Sequence, residues 1–566
     1  MFVGREAELK ALEDLYGEDR FQFVPITGRR RVGKTRLIEE FIKDKPSVMF
    51  KAVPGSESMN LSLFNELVSG DSDPLRLDRI LWRAEERSSG GRLIVVIDEY
   101  PNLVEDARHN SGLINNFIEA VKDTSRLFLI LCGSSMSIME SEVMGKKSPL
   151  YGRRTGQIRL RPFDFETSLE MLKGFEIADA VVIYGLVGGI PYYLEQFDPG
   201  RSIEDNIRDR YLDPFGVIAG EPELMFLTEF RKPATYYAVI HAISKGRRTP
   251  SEIGQITGMK RDMVSHVLGR LVILGFVEKD EPFGRGGTKD LHYIVKDRLL
   301  ASYFRFVYPV QGNGSDSEVE AVFSYMSDNL NQYLGHVFED ICAEFVRKHG
   351  YSKVGRWWKG PVEIDIVASN DHSILFAECK YRNELTDADL IDDLMDKSKD
   401  IGTRGLDVGY ALFSRSGFTR TAQMRAEAEG VRLYRLDELF DLDRRNDRRL
   451  SIIIGRVRAR ASMHSSMSET AFDKLNQAKS IVGCRIVRLD CHDELIPYYT
   501  SHGFKLITKS DDGRLNQMMA FITAKHNGNP DEGNMSVREF RLPSCFLSCS
   551  DKLGSSSNGT ASCRQS

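Results

Sequence analysis

Residues Gly28-Arg29-Arg30-Arg31-Val32-Gly33-Lys34-Thr35 set two glycines with four residues between them, followed at once by a lysine and a hydroxyl. That spacing lets backbone N–H groups converge on phosphate oxygens at the start of a helix. Lys34 adds charge toward the outer phosphates and Thr35 offers its hydroxyl to Mg²⁺. A second group lies at the end of the apolar run Leu93-Ile-Val-Val-Ile-Asp98-Glu99. Here Asp98 suits the magnesium shell, and Glu99 suits orienting or deprotonating a water. A third run, Leu127 to Cys132, ends in Gly133-Ser134-Ser135, whose Ser134 hydroxyl is read as a sensor of a terminal phosphate. Arg153 and Arg154 are candidates for stabilising charge that develops during phosphoryl transfer, set against the alternative of ordinary solvated arginines.

Far downstream, Glu363-Ile-Asp365-Ile-Val367 and Ala377-Glu378-Cys379-Lys380 read as two short strands. Paired, they bring together two carboxylates able to hold Mg²⁺ or Mn²⁺ and a lysine able to steady a charged phosphate. Glu339, on the amphipathic stretch Leu334 to Cys342, is a third acid for that cluster. Between these groups, Thr249-Pro250-Ser251-Glu252 predicts a capped helix start. Ile253 and Ile256 form its apolar face, and Met263, Val267, Leu268, Leu271 and Val272 mark a second helix that stops at Gly275. Lys260, Arg261, Ser265, His266 and Arg270 would then face outward, toward DNA phosphates or bases.

Positioning these groups requires several cores. The chain has 566 residues, 41% hydrophobic and 28% charged, a balance that excludes a largely disordered, collagen-like or membrane-embedded protein. The formal net charge is -5, so any nucleic-acid surface is regional and a polycationic coat is excluded. No apolar run reaches the roughly 18 residues that span a bilayer, and the amino end is charged, so a cytoplasmic protein with no membrane partner is expected. Eight cysteines without a CxxC pair support neither a disulfide framework nor a zinc site.

The predicted fold class is α/β and multidomain. Residues 1–165 form a core with a mostly parallel sheet, built from strands at 21–27, 47–53, 92–97, 126–132 and 157–160. Residues 166–230 form a helical lid broken by Gly188-Gly189-Ile190-Pro191. A small helical module with two strands follows at 233–297, a linker at 310–317, and a second α/β region at 330–440. A further helix and strand series occupies 466–523, and residues 535–566 read as a disordered tail.

Taken in order, Phe2-Val-Gly-Arg-Glu6, GRRRVGKT, IDEYP at 97–101, CGSS at 132–135, SPLYGR at 148–153 and GGIPYYL at 188–194 resemble the archaeal-type ATPases, P-loop proteins related to the AAA+ and STAND groups. The resemblance covers about residues 1–230. It implies ATP as ligand, a strand bearing the catalytic glutamate beside the P-loop strand, and a GGxP turn that closes over the nucleotide. It also places Val3, Gly4, Arg5 and Pro191 around the base. Residues 233–297 resemble a winged helix. Residues 330–440, with FEDICAEF, WWKGPVEIDIVA and AECKYRN, resemble the PD-(D/E)xK nuclease fold, which makes Asp365 and Glu378 metal ligands and Lys380 the catalytic lysine. Residues 466–523 resemble the second half of a GNAT acetyltransferase, with Tyr499 matching the general acid. The pyrophosphate-binding loop of that fold is absent, which points to a degraded fusion or a gene-boundary artefact and not to acetyl transfer. The expected activity is ATP hydrolysis coupled to a DNA-associated, nuclease-like module, with self-association left open. The alternative is a slow nucleotide switch whose nuclease-like fold only binds.

Overall fold

The computed structural model describes residues 2–440 apart from residues 89, 231, 285–290, 311–315 and 404, together with three strands further on. The chain divides into two compact units, Met1–Phe440 and Asp441–Ser566. In the first unit, five parallel strands, β1 (Gln22–Gly28), β2 (Ser47–Lys51), β3 (Ile94–Asp98), β4 (Phe128–Gly133) and β5 (Ile158–Leu160), stand in the order β2-β3-β4-β1-β5. Strands β1, β3 and β4 are buried along their whole length, which is why they read as unbroken apolar runs with no alternation. Val24, Ile26, Val96 and Ile130 fill one face, while Phe23, Val95, Ile97, Leu129 and Leu131 fill the other.

One expectation about this sheet is corrected. The strands beside β1 are β5 and β4, the latter carrying Ser134 at its exit, and the strand that delivers Glu99 is β3, one place beyond β4. Strand order is set by long-range pairing, and nothing in the local spacing of either run encodes it. The strand expected at 47–53 also ends early, at Lys51.

Residues 165–229 fold as short helices, Phe165–Met171, Ile177–Val187, Pro191–Leu194, Ile203–Asn206 continuing as Ile207–Leu212, and Glu221–Glu229, joined by turns. Then come the helices Ala234–Ser244, Pro250–Thr257 and Arg261–Ile273, and an antiparallel hairpin of β6 (Val277–Asp280) and β7 (His292–Val295). The capping box at Thr249 forms. Its hydroxyl accepts from the Glu252 amide at 3.3 Å, and Glu252 Oε2 accepts from the Thr249 amide at 2.9 Å. The buried stripe of the last helix is Val264, Val267, Leu268 and Leu271, whereas Ile256 and Met263, expected to be apolar-face residues, are exposed. Val264 starts the i, i+3, i+4, i+7 set, so Met263 falls one position off it.

A single helix, Asp316–Lys348, leads into the second sheet. It begins inside the expected linker and runs through residue 330, where a boundary was expected. The sheet comprises β8 (Lys353–Lys359), β9 (Val362–Ser369), β10 (Ser373–Lys380), β11 (Asp407–Ser414) and β12 (Arg432–Arg435) in the order β12-β11-β10-β9-β8. Its β8, β9 and β10 pair antiparallel, and its β10, β11 and β12 parallel. One hydrophobic cluster runs without interruption from Ile26 and Ile130 through Val187, Phe304 and Val337 to Ile366 and Ala377. The first sheet, the long helix and one face of the second sheet therefore share a core. The other face of the second sheet has its own, around Phe376, Leu394 and Leu412.

In the second unit, β13 (Ile486–Cys491), β14 (Lys505–Thr508) and β15 (Asn516–Phe521) form an antiparallel sheet in the order β13-β15-β14. Tyr499, most of the 466–523 segment and the expected disordered tail at 535–566 lie outside the described residues. Among the described residues no helix is long and apolar enough to cross a membrane.

Glu344, on the long helix, accepts from the Phe165 amide at 3.2 Å. Burial pushes its carboxyl up to about 7, with Asp164 and Asp340 adding to the rise. A carboxyl raised in the folded state stabilises it fully below its unfolded pKa, and the contribution disappears as pH rises through about 7. The fall is expected between pH ~5 and ~8 and amounts to about 2–3 kcal/mol. Glu344→Gln should flatten that part of the stability curve, which thermal unfolding of both proteins at the two ends of the range measures directly.

Candidate functional site

The loop between β1 and the helix Lys34–Ile42 turns through left-handed backbone at Arg31 (φ +66°) and Gly33 (φ +95°). Gly33 caps the helix, so the first N–H groups of Lys34–Ile42 open toward the concavity of the loop, an arrangement suited to an anion. Lys34 lies beneath it, only 6% exposed. Its ammonium donates to the carbonyls of Gly28 at 2.9 Å and Arg29 at 3.1 Å. Burial pulls the Lys34 pKa down, against the opposing pull of Cys132, Glu99 and Asp98.

The ends of β3 and β4 face the same concavity. Thr35 Oγ1 donates to Asp98 Oδ2 at 3.1 Å, and Asp98 Oδ1 accepts from the Glu99 amide at 3.0 Å. Glu99 Oε2 in turn accepts from the Ser134 hydroxyl at 2.9 Å and from the Ser134 amide at 3.3 Å. Glu99 and Arg31 are the two non-glycine residues with positive φ among the described residues. Such backbone costs about 1–3 kcal/mol at each position and persists where the surroundings over-determine it. Lys34, Thr35, Asp98, Glu99 and Ser134 are thus brought together. The Thr35 hydroxyl and the Asp98 carboxylate, 3.1 Å apart beside the loop, are oxygen donors of the kind that hard divalent cations take.

The amino-terminal segment reaches the loop through Arg5, whose guanidinium donates to the carbonyls of Val32 at 3.2 Å and Arg161 at 2.8 Å and lies 4.3 Å from the Phe163 ring. Gly4 packs on Thr167 and Phe163, next in line to Val3. Phe163 also receives the GGIP turn: its amide donates to the Gly189 carbonyl at 2.7 Å, and a Cβ on Gly189 would stand 1.9 Å from the Phe163 carbonyl oxygen. That approach requires glycine. Pro191 opens the following short helix. Gly4, Arg5 and Gly189 therefore meet at the segment that follows β5, with Val3 and Pro191 close to them along the chain.

Sequence spacing gave no sign of the acids that hold the loop's arginines. Arg29 pairs with Asp297, and Arg31 pairs with Glu221 at 2.8 Å and lies 4.0 Å from the Tyr192 ring. Arg30 is exposed. Glu229, on the helix Glu221–Glu229, accepts from the Met136 amide at 2.9 Å and the Ser137 amide at 3.2 Å, directly behind Ser134. Arg153 bonds Glu119 at 2.9 Å and Asn115 at 2.9 Å, both on the helix His109–Val121, so none of its named partners belongs to the loop.

In the second sheet, the register that pairs Ala377 with Ile366 makes Glu378 and Asp365 the next opposed residues. Asp365 Oδ2 accepts from the Cys379 amide at 2.9 Å, while Glu378, 2% exposed, receives Lys380 at 3.1 Å on one oxygen and Lys397 at 3.2 Å on the other. Lys397 comes from the helix Asp389–Ser398 and was not expected. Burial, then Glu339 and Glu378, hold the Asp365 carboxyl well above the usual range. Burial would lower Lys380, but Asp365 and Glu378 outweigh it and its ammonium is raised. The donor set is oxygen-only, as hard cations prefer. Among the described residues, however, no group of three or more His, Cys, Asp or Glu side chains is arranged to hold a metal ion. On the helix Arg261–Ile273 and just before it, Lys260, Arg261, Ser265, His266 and Arg270 are all exposed.

Residues 75–197 match a family model described as an ATPase domain predominantly from Archaea, and residues 303–391 match one described as archaeal and bacterial proteins of unknown function. The uncharacterized protein MJECL04 of Methanocaldococcus jannaschii is 33% identical over 432 residues, spanning 73% of this chain and 96% of its own. A 45-residue stretch, 8% of this chain, is 47% identical to 76% of the uncharacterized ATP-binding protein MJ0423 of the same organism. Among solved structures, the Walker-type ATPase PABY2304 of Pyrococcus abyssi aligns with a TM-score of 0.42 at 21% identity, covering 54% of this chain and 96% of its own.

Glu229→Ala should leave the Met136 and Ser137 amides without their acceptor and destabilise the protein by about 1–2 kcal/mol, read as a lowered thermal midpoint.

Proposed function

This chain belongs to the same family as the uncharacterized protein MJECL04 of Methanocaldococcus jannaschii and carries at residues 75–197 a match to an ATPase domain predominantly from Archaea, and on that premise we propose that it hydrolyses ATP with Mg²⁺ at the exits of β1, β3 and β4. The observation that carries this reading is the bonded series of Thr35 with Asp98 and Glu99 with Ser134 beside the buried Lys34. Loop amides and Lys34 bind the phosphates, Thr35 and Asp98 hold the divalent ion that neutralises them, and Val3, Gly4, Arg5 and Pro191 border the base. Glu99 orients the attacking water and takes its proton as oxygen bonds the terminal phosphorus and the bridging oxygen departs with ADP. Ser134 reports the terminal phosphate by its bond to Glu99. Arg153, bound here to Glu119 and Asn115, is the candidate for stabilising the developing charge, in its own chain or on a neighbouring copy. Glu99→Gln should lower ATP turnover at least ~100-fold with nucleotide still bound, whereas Lys34→Ala should abolish binding. Wild-type turnover in Glu99→Gln removes that residue from the reaction.

The exposed Lys260, Arg261, His266 and Arg270 support a winged-helix contact with DNA. Asp365, Glu378 and Lys380 support a nuclease-like centre that uses Mg²⁺ or Mn²⁺, in a protein of the cytoplasm. A second reading, a slow nucleotide switch whose second sheet only binds, is favoured by the two lysines that occupy both oxygens of Glu378. Incubation with DNA and Mg²⁺ or Mn²⁺, with and without ATP, separates the two. The first reading expects cleavage that Asp365→Ala and Lys380→Ala abolish. DNA binding without cleavage selects the second, and cleavage that survives in both variants rejects the assigned centre.

A further inference from the structure

Asp297 sits between two systems. Its Oδ1 accepts from the Leu300 amide at 3.0 Å, capping the helix Arg298–Ser302, while its Oδ2 takes Arg29 of the phosphate loop. The Asp297 side chain is 4% exposed. Its neighbour Arg298 reaches the other way, to Asp340 on the long helix. Asp340 also accepts from Arg356 of β8 at 3.1 Å, and Arg356 lies 3.0 Å from Glu339 and 3.8 Å from Asp280. Glu339 and Asp340 belong to the turn of the long helix that packs on β10, where the Phe338 ring lies 5.6 Å from the Tyr381 ring, one residue past Lys380. Arg298, Arg356, Glu339, Asp340 and Asp280 thus form one network that reaches the long helix and the second sheet, joined to the Arg29–Asp297 pair through the chain at Asp297–Arg298.

We propose that a nucleotide triphosphate in the loop draws Arg29 away from Asp297, and that the change travels through Arg298, Asp340 and Arg356 to the Asp365–Glu378–Lys380 cluster, making Asp297 the positioning residue that couples the two sites. The inference rests on the reading of the loop as an ATP site. Its physical basis is that Asp297 is buried and paired with Arg29. Engaging Arg29 with phosphate leaves that carboxylate without its partner, while its chain neighbour Arg298 is already committed to Asp340. Re-pairing at Arg298 loosens Asp340, and with it the contact of Phe338 and Cys342 with the strand end at Cys379–Tyr381. Because coupling free energy is reciprocal, a change made at Asp340 must be felt in ATP affinity although Asp340 bonds no residue of the loop.

The test is amide hydrogen exchange of the full chain with and without a saturating non-hydrolysable ATP analogue, alongside calorimetric titration of that analogue. The expected result is exchange at least ~3-fold faster in residues 337–342 and 379–381 when the analogue is bound, and no such change in Asp297→Asn. Asp340→Asn should shift analogue affinity at least ~5-fold, and its effect should vanish in the Asp297→Asn background. Measurable binding heat with unchanged exchange in those segments overturns the coupling while leaving the ATP site standing. Absence of binding heat in the wild type overturns both. Additive effects of the two substitutions on affinity also overturn it. The exchange measurement on the wild type needs no substitution, so it decides the matter even where a variant folds poorly.

Discussion

Parallel pairing is the constraint on which the rest depends. Because β1, β4 and β3 run the same way in register, with Thr27 opposite Gly133 and Ile97 opposite Leu131, their chains must leave the sheet along one edge. Residues far apart in sequence therefore arrive within bonding reach, Thr35 with Asp98 and Glu99 with Ser134. The buried faces of the strands fix that register, since a one-residue slip would turn Ile26 and Val96 to the opposite side. The site inherits its geometry from apolar packing that never touches a ligand.

Polar groups at this edge are held by one another. Lys34 is tied to two backbone carbonyls, Thr35 to Asp98, and Glu99 to Ser134. Each bond fixes a rotamer before any ligand arrives, and the left-handed backbone at Glu99 aims its carboxylate at Ser134. Arrangements of this kind are worth most in electrostatic work, where groups that need no reorientation act at full strength.

The loop and the two acids after β3 were legible in the sequence because their geometry is local: a strand, a turn and a helix start within a few residues. The capping box at Thr249 was legible for the same reason. Strand order was not, because whether β4 or β3 lies beside β1 depends on contacts more than a hundred residues long. Glu221, Glu229, Asp297 and Lys397 were hidden for a related reason. Each meets its partner from a separate helix or turn, and a lone acid or lysine on a helix surface has no pattern to mark it. Ile256 and Met263 show the limit of periodicity itself, since a helix with apolar residues on adjoining columns does not say which column is covered.

The helix Asp316–Lys348, roughly 50 Å long at 1.5 Å per residue, has a further consequence. Its Leu334 and Val337 close on Gly185 of the helix Ile177–Val187, while Phe338, Ile341 and Cys342 lie in the same apolar body as Ile366 and Ala377. A beam that belongs to two rooms cannot be sawn through without opening both. Exchanging either the first sheet or the second for a different one would therefore require replacing the matching face of this helix as well.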